Sequence, residues 1–312
     1  MLETILPWAY VWPILAYSVV GTLLVLVPAL LLMNVALGCL VLLLYVLLPE
    51  TTIDHLLQTS LDVIREKFGR YFDPVEENLR ATFPLHGAEH LEEHPTSLLL
   101  WHPHSLMSVT SVLHNCYGIQ KDLKTKTVCL NLYHTLPVIK DIARFARTIP
   151  ADYSAMKQTL EEGTSVSVMP GGIREMMDTE PNTLRIVLGK RRGVFRLALE
   201  TGTPLVPVLT YGENELFPQE RSSWMDTLNT FLYKWFRVAV PTTSSTAFQN
   251  WMNLYLHPLD PVPTYIGKPL VVEKKTSPTE EDIAILRAQY ITKLKQLFEE
   301  THPEGTKLII QE

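Results

Sequence analysis

Charge is what the first part of this sequence lacks. The 46 residues Thr4–Pro49 contain no Asp, Glu, Lys or Arg, although the 312-residue chain has 27 Lys and Arg and 33 Asp and Glu. About 20 apolar helical residues cross a bilayer core, whereas 46 would form a straight helix about 69 Å long. The run therefore excludes a freely soluble protein. It predicts a membrane hairpin with two arms, Tyr10–Val27 and Ala29–Leu48, which meet at Pro28.

Basic residues are missing from the N-terminal side of this run. A cleaved signal peptide needs a basic start and an apolar core of about 7–15 residues. The first basic residue here is Arg65, and the apolar run is far longer, which argues against cleavage. Arg65, Lys67 and Arg70 follow the run, so the positive-inside rule predicts that the rest of the chain faces the cytosol. With two arms, the N-terminus would lie on that side as well.

The sequence also has few cysteines and no excess of positive charge. Cys39, Cys116 and Cys129 include no C-x-x-C pair and give neither a disulfide framework nor a zinc site. Reduced thiols in the cytosol are the expected state. The net charge of −6 argues against a nucleic-acid partner, because nucleic-acid-binding proteins usually carry a basic face.

Strand and helix patterns alternate after the uncharged run and predict an α/β fold. We expect a membrane-embedded hairpin over residues 1–50 and a cytosolic-facing domain over residues 51–312. The predicted strands are Ser97–Trp101, Thr127–Leu132, Thr164–Met169, Leu184–Leu188 and Pro204–Thr210. The predicted helices are Thr51–Phe68, Leu106–Cys116, Val138–Ala146, Tyr153–Glu162, Arg192–Glu200 and Pro278–Thr301. The aromatic-rich segment Trp224–Leu256 is interpreted as irregular.

Two histidines, His102 and His104, flank Pro103 at the end of a predicted strand. Strand ends in α/β sheets face the crevice where ligands bind, and histidine exchanges protons near neutral pH. Proton transfer is the functional interpretation, and two structural histidines at a turn are the alternative. The neighbourhood lacks the further ligands that a metal ion would need, so we predict no metal site. The absence of a G-x-S-x-G sequence argues against Ser105 as a nucleophile.

A glycine pair, Gly171 and Gly172, follows another predicted strand. Glycines at such a place let a ligand or another backbone approach closely. Arg174 could pair with a phosphate and Glu175 could orient a histidine, although a simple turn is the alternative.

Three cations, Lys190, Arg191 and Arg192, stand at the start of a predicted helix. Positive charge there opposes the helix dipole unless an anion lies nearby. A phosphate-rich ligand is the functional interpretation, and a solvated charged surface is the alternative.

These motifs, taken in chain order, resemble the diacylglycerol acyltransferase type 2 family, which also contains monoacylglycerol and wax-alcohol acyltransferases. The matching segments are His102–Ser105, Pro170–Glu175, Arg192–Gly193, Pro204–Val208 and Gly212–Glu215. The resemblance runs from about residue 95 to the C-terminus. Ser105 replaces the glycine of animal and fungal members and is similar to plant and algal ones. Val109 stands where the wider superfamily has an aspartate, so we expect Glu175 to orient the base.

The resemblance implies a glycerolipid-acyltransferase-like mixed sheet flanked by helices. It also implies acyl transfer from acyl-coenzyme A (acyl-CoA) to the hydroxyl of diacylglycerol, which forms triacylglycerol. Monoacylglycerol and long-chain alcohols are alternative acceptors. Acyl-CoA is a co-substrate, and no cofactor is expected. The implied location is the endoplasmic reticulum membrane, with the domain facing the cytosol, and lipid droplets.

Each candidate residue then has an expected role. We expect His104 to be the general base, supported by His102. The residues expected to bind substrate are Ser105, Gly171, Gly172, Arg174, Lys190, Arg191 and Arg192. Backbone amides after Ser105, or at the glycine pair, could stabilise the oxyanion. A non-catalytic hairpin protein that shapes membranes or lipid droplets is an alternative of another class, and a homo-oligomer is left open.

Overall fold

The computed structural model describes residues 73–311 except residues 107, 190, 241 and 255, with six helical residues further upstream (51–53, 55, 59 and 63). The side chain of Trp251 is not described. The two predicted hairpin arms and most of the predicted helix 51–68 lie outside the described residues. None of the helices in the described part of the chain has both the length and the apolar character needed to cross a membrane.

Seven strands form one mixed sheet in the order β1-β8-β7-β2-β5-β3-β4, and β6 and β9 form a separate parallel pair. In the described residues the strands are β1 (Leu85–His86), β2 (Leu98–His102), β3 (Thr125–Cys129), β4 (Thr148–Pro150), β5 (Ser165–Val168), β6 (Thr183–Val187), β7 (Leu205–Thr210), β8 (Thr264–Ile266) and β9 (Lys307–Gln311). β8 runs antiparallel to β7, and the other neighbours in the main sheet are parallel. The predicted mixed α/β sheet is therefore confirmed.

The three central strands are buried along their whole length. Every residue of β7, β2 and β5 is buried, as expected for parallel strands covered on both faces. Leu98 of β2 is in register with Val166 of β5 and Leu205 of β7. The carboxyl ends of these neighbouring parallel strands therefore lie on the same edge of the sheet.

Helices flank the sheet on both faces. In the described part they are α1 (residues 73–82), α2 (Val109–Val112), α3 (Ile139–Phe145), α4 (Tyr153–Glu161), α5 (Ile173–Met177), α6 (Arg192–Thr201), α7 (Glu213–Leu216), α8 (Ser223–Phe236), α9 (Ser245–Asn253) and α10 (Glu280–Thr301). α2 continues as a π-helical turn over Leu113–Tyr117. Short 3₁₀ turns cover Ala88–Leu91 and Asn131–His134.

Helix starts are set by local capping. The Asp152 carboxylate accepts hydrogen bonds from the amides of Ser154 and Ala155, which satisfies orphan donors at the start of α4. Thr279 and Asp282 form a capping box at the start of α10.

Alternate residues of β2 enter different hydrophobic clusters. Leu98 and Leu100 pack in a cluster with Phe195 of α6 and Tyr290 of α10. Leu99 and Trp101 belong to a second cluster. This alternation is what the period of two residues in a strand requires. The core thus fixes β2 from both sides, and β2 leads directly into the histidine motif.

Most of the predicted elements are present within a few residues, but two expectations were wrong. The predicted irregular segment Trp224–Leu256 contains α8 and α9. The predicted strand Leu184–Leu188 is confirmed as β6, and it pairs with β9 outside the main sheet. The predicted helix Leu106–Cys116 begins only at Val109. Four short strands, β1, β4, β8 and β9, were not predicted.

Candidate active site

Three loops meet at the carboxyl edge of the central strands. The histidine motif follows β2, the turn Pro170–Gly172 follows β5, and Gly212 and Glu213 follow β7. Because β2 lies between β5 and β7 and is parallel to both, the three loops leave the sheet side by side. Ligands bind at such edges in open α/β sheets. The structure therefore brings the two principal sequence motifs together.

Glu175, at the centre of this edge, is a buried carboxylate. Its Oε2 accepts a hydrogen bond from the backbone amide of His104 (2.7 Å), and its Oε1 accepts one from the amide of Val187 (2.7 Å). Glu175 thus holds the backbone of His104 and makes no described hydrogen bond with its ring. This corrects the expectation that Glu175 orients the imidazole itself.

The glycine pair is required by the position of Glu175 and by the backbone. A Cβ atom on Gly171 would lie 1.8 Å from Cδ of Glu175, so only glycine leaves room for the carboxylate. Gly172 has φ 57° and ψ −148°, a conformation that is essentially restricted to glycine. The Gly172 amide donates to the carbonyl of Met169 (3.2 Å) and is therefore not available to an oxyanion.

The His104 ring is oriented by its own loop. Its Nδ1 lies 2.9 Å from the Ser105 carbonyl oxygen and 3.2 Å from the Ser108 hydroxyl. A carbonyl can only accept, so this contact assigns the ring proton to Nδ1. Nε2 then carries a lone pair, and no partner bonds it within the described residues. Burial lowers the pKa of His104, although the Ser105 carbonyl opposes this shift. His104 is thus a neutral imidazole with a free basic nitrogen.

His102 has a different environment because its side chain is completely buried. Its Nε2 lies 3.0 Å from the hydroxyl of Tyr290 on α10, and burial lowers its pKa to about 3. A substrate hydroxyl cannot reach this ring without opening the core. His102 therefore fixes the strand end, and His104 is the histidine that the loop presents.

Glu213 is a second buried carboxylate, and the sequence interpretation gave it no role. Its Oε1 accepts a hydrogen bond from the amide of Val109 (2.5 Å), and its Oε2 accepts one from the Thr110 hydroxyl (2.5 Å). Both donors lie at the start of α2. Glu213 therefore occupies the helix amide that was a candidate for oxyanion stabilisation.

The loop between the two carboxylates is held at both ends. Glu175 bonds the amide of His104, and Glu213 bonds the amide of Val109, five residues further along. The Ser105 hydroxyl inside this loop is buried and makes no hydrogen bond of ordinary length with the described residues. It is nevertheless close enough to lower the pKa of Glu213, which burial raises. Two buried carboxylates thus fix the loop that carries His104.

Of the predicted cations, Arg191 is the one that the structure places at the glycine turn. Its Nη2 donates to the carbonyl of Gly171 (2.5 Å). Burial raises the pKa of Glu175 to about 7, while the amides of His104 and Val187 and the charge of Arg191 act in the opposite direction. Arg191 therefore both braces the turn and brings positive charge to the carboxylate.

Of the other predicted cations, Arg174 lies near Arg191, because the charges of both lower the pKa of the Tyr233 hydroxyl against the effect of burial. Nε of Arg174 donates to the hydroxyl of Tyr233 (3.1 Å), on the exposed surface beside α8. Nη1 of Arg192 forms an exposed ion pair with Glu280 (2.9 Å). Lys190 lies outside the described residues. In the described part of the protein, the predicted phosphate-binding set is therefore brought together only in part, at Arg174 and Arg191.

A cleft of about 290 Å³ opens beside this edge, next to the histidine loop. Pro103, Thr210 and Glu213 are among its lining residues, but His104 is not. Its volume is at the lower end of the usual range for ligand pockets, about 300–1,000 Å³. The cleft therefore borders the histidine loop without including the His104 ring.

Comparison with known proteins gives a consistent set of relatives. The human 2-acylglycerol O-acyltransferase 1 is 29% identical over 233 residues, which are 70% of this chain and 69% of that protein. Diacylglycerol O-acyltransferase 2 of Xenopus tropicalis is 26% identical over 212 residues, which are 64% of this chain and 59% of that protein. The enzyme of the same name from Dictyostelium discoideum is 26% identical over 213 residues, 65% of this chain and 64% of that protein.

A solved structure and a family model were also matched. The crystal structure of the 1-acyl-sn-glycerophosphate acyltransferase from Thermotoga maritima aligns with a TM-score of 0.45 and 16% identity, over 77% of this chain and 83% of that one. The model of the diacylglycerol acyltransferase family matches residues 30–310, which is most of the chain and includes all three loops of the site. The chain therefore belongs to the diacylglycerol acyltransferase family.

Proposed function

We propose that this protein transfers an acyl chain from acyl-CoA to the hydroxyl of diacylglycerol and so forms triacylglycerol. The observation that carries the proposal is the free Nε2 of His104, a neutral base fixed at the sheet edge where ligands bind. Membership of the family supports the reaction class, and relatives named for diacylglycerol and 2-acylglycerol support the acceptor class.

The proposed chemistry uses His104 as a proton carrier. Nε2 takes the proton of the acceptor hydroxyl while the hydroxyl oxygen attacks the thioester carbonyl of acyl-CoA. The carbon–sulfur bond then breaks, an ester remains on the acceptor, and the departing sulfur receives the proton from Nε2. A general base of this kind accelerates a reaction about 10²–10⁴-fold.

The remaining site residues hold His104 or attract the coenzyme. Glu175 fixes the His104 backbone, and His102 fixes the strand end through Tyr290. Arg191 is our candidate for the negative charge of the coenzyme, because the structure keeps its guanidinium at the glycine turn with donors to spare. No metal or cofactor takes part in this proposal.

The acceptor has two further candidates. Monoacylglycerol is favoured by the relatives named 2-acylglycerol O-acyltransferase, and a long-chain alcohol would use the same base. A non-catalytic hairpin protein is less well supported, because it has no use for two buried carboxylates that hold a histidine loop. Burying such groups is costly unless they are hydrogen-bonded in a defined arrangement.

We also propose where the protein acts. The uncharged run Thr4–Pro49 supports a hairpin in the membrane of the endoplasmic reticulum, with residues 51–312 on the cytosolic side. The same segment would suit lipid droplets. Such a place gives the site a lipid acceptor from the bilayer and acyl-CoA from the cytosol.

The acceptor is tested by supplying diacylglycerol, monoacylglycerol and a long-chain alcohol, one at a time, to the full-length protein with labelled acyl-CoA. We expect labelled triacylglycerol as the main product when diacylglycerol is supplied. Labelled diacylglycerol as the main product would show that monoacylglycerol is the acceptor. Labelled wax ester would show that a long-chain alcohol is the acceptor. Failure to label any neutral lipid would contradict the reaction itself.

A further inference from the structure

Helix α8 exposes an apolar stripe along its outer side. Trp224, Leu228, Phe231 and Trp235 follow one another at spacings of four, three and four residues, which places them on one face of the helix. Their exposed fractions are 66%, 37%, 53% and 65%. An apolar stripe of this kind normally packs against a core, whereas this one faces outward.

The opposite face attaches α8 to the rest of the protein. Asn229 is buried, and its side chain bonds both the amide (2.8 Å) and the carbonyl (3.0 Å) of Val240. Tyr233, one turn further on, accepts the hydrogen bond from Arg174. Because this polar face is engaged, the helix cannot turn its aromatic stripe inward without losing these bonds.

Further apolar side chains are exposed in the chain that follows the stripe. Phe236 at the end of α8, Val240 after it and Phe248 of α9 are also exposed, with exposed fractions of 64%, 45% and 62%. Single exposed apolar residues are common, but the four stripe residues share one helix face and mark an interaction surface.

The charges around this surface identify its partner. Residues 221–237 carry three cations, Arg221, Lys234 and Arg237, against one carboxylate, Asp226. The 22 residues 238–259 carry no Asp, Glu, Lys or Arg, although the whole chain has a net charge of −6. Lys234 lies over the ring of Trp235 in the stripe, whereas Arg237 lies over Tyr233 on the inner face and Arg221 donates to the Met177 carbonyl. An aromatic stripe with a cation beside it and few carboxylates matches a surface of lipid phosphate groups.

We propose that α8 lies in the plane of a phospholipid membrane with the stripe Trp224–Leu228–Phe231–Trp235 inserted among the headgroups. The 14 residues of α8 and its polar face are unsuited to spanning a bilayer, which takes about 20 apolar residues. An in-plane amphipathic helix buries its apolar face by about 5–10 Å. Tryptophan near each end of the stripe favours that depth.

This contact would bring the membrane surface next to the histidine edge. Arg174 belongs to α5, which also carries Glu175, and it bonds Tyr233 on the inner face of α8. The inserted helix is thus joined by one hydrogen bond to the element that holds His104. The inference rests on the exposed stripe and its charges, not on the proposed reaction.

Photo-cross-linking tests the proposal on the full-length protein in vesicles of phosphatidylcholine and phosphatidylserine. A benzophenone amino acid replaces Trp235 in one variant and Phe231 in a second, so that the result does not depend on one position. Ile285 of α10 is the matched control, because it is apolar, 52% exposed and follows the acidic first turn of α10. Mass spectrometry identifies what each probe captures.

We expect phospholipid adducts at positions 231 and 235 and none at position 285. Capture of another segment of this chain or of a second copy at 231 and 235 would overturn the proposal, because protein would then cover the stripe. Equal capture at all three positions, or none, would overturn it as well. None of these readouts requires acyl transfer, so the docking proposal can fail while the reaction stands.

Discussion

The edge of the sheet and the surface of α8 differ in which side chains they bury: the edge buries carboxylates, and α8 exposes aromatic rings. At the sheet edge, two carboxylates, Glu175 and Glu213, are buried and bonded to amides of the histidine loop. On α8, two tryptophans and two phenylalanines are exposed, while Asn229 is buried. Each arrangement opposes the usual distribution of polar and apolar residues.

The contrast separates two tasks. Buried, hydrogen-bonded charge holds a reacting group in one geometry because every alternative leaves a charge unpaired. Exposed apolar surface is useful only to a partner that covers it. We therefore assign the chemistry to the edge and the approach of the lipid to α8. The predictions below change one region or the other, in order of decreasing expected effect.

Replacing Glu175 should have the largest effect of the changes at the supporting residues. Glu175→Gln presents an amide nitrogen to one of the two backbone N–H groups, and a hydrogen bond to a charged group contributes about 1.5–3 kcal/mol. We expect acyl transfer to fall about 10²-fold, measured with labelled acyl-CoA in microsomes. Glu281→Gln, at an exposed residue of α10, is the control and should leave the rate unchanged. An unaltered rate in Glu175→Gln would show that the edge is not held as described.

The pH dependence should report the same carboxylate. Burial raises the pKa of Glu175 to about 7, so its carboxyl becomes protonated as pH falls through 7 and loses acceptor capacity for the two amides. The lowered pKa of His104 keeps the base neutral over that range. We expect kcat/KM to decrease below about pH 7, by up to about tenfold per pH unit for a single protonation. This decrease at low pH should be absent in Glu175→Gln. If it persists there, another group causes it.

Glu213 should couple to the start of α2. In a double-mutant cycle, Glu213→Ala and Thr110→Val each remove the same side-chain hydrogen bond. We expect each change to lower stability by about 1–3 kcal/mol, the cost of an unpaired buried group, and the two together to cost less than their sum. Thermal unfolding in detergent measures these values. Strictly additive losses would mean that the pair does not interact.

The smallest stability effect should come from the exposed stripe. Phe231→Ser removes an exposed ring, and exposed substitutions usually change stability by less than about 0.5 kcal/mol. Leu197→Ala, at a fully buried residue of α6, should cost about 2–5 kcal/mol. Unfolding in detergent measures both. If Phe231→Ser lowers the stability as much as Leu197→Ala does, the Phe231 ring belongs to the core, and the contrast between α8 and the sheet edge is lost.

Much of the sheet could be predicted because its central strands are short apolar runs that end in motif residues. The parallel arrangement then brought His104 and Glu175 to one edge, as expected. The partners of the loop could not be predicted in this way. Glu213 bonds Val109 across 104 residues of chain, and Tyr290 bonds His102 across 188, so both contacts depend on tertiary packing.

Helix α8 was missed although its signal was available. Trp224, Leu228, Phe231 and Trp235 have the period of an amphipathic helix, which the interpretation of Trp224–Leu256 as irregular does not use. That the stripe faces outward could not be known from the sequence, since the same period predicts a buried face. The position of the His104 proton was equally hidden, because it depends on a contact with a backbone carbonyl.

The acyl-transfer rates of His104→Ala and His102→Ala, measured side by side in microsomes with labelled acyl-CoA, test the central claim most directly. The free Nε2 of His104 predicts a fall of about 10²–10⁴-fold in His104→Ala with the amount of folded protein unchanged. His102→Ala removes a buried ring and its bond to Tyr290, so it should lower the amount of folded protein. Undiminished transfer by His104→Ala would contradict the account. Loss in His102→Ala alone, with normal folding, would exchange the roles of the two histidines.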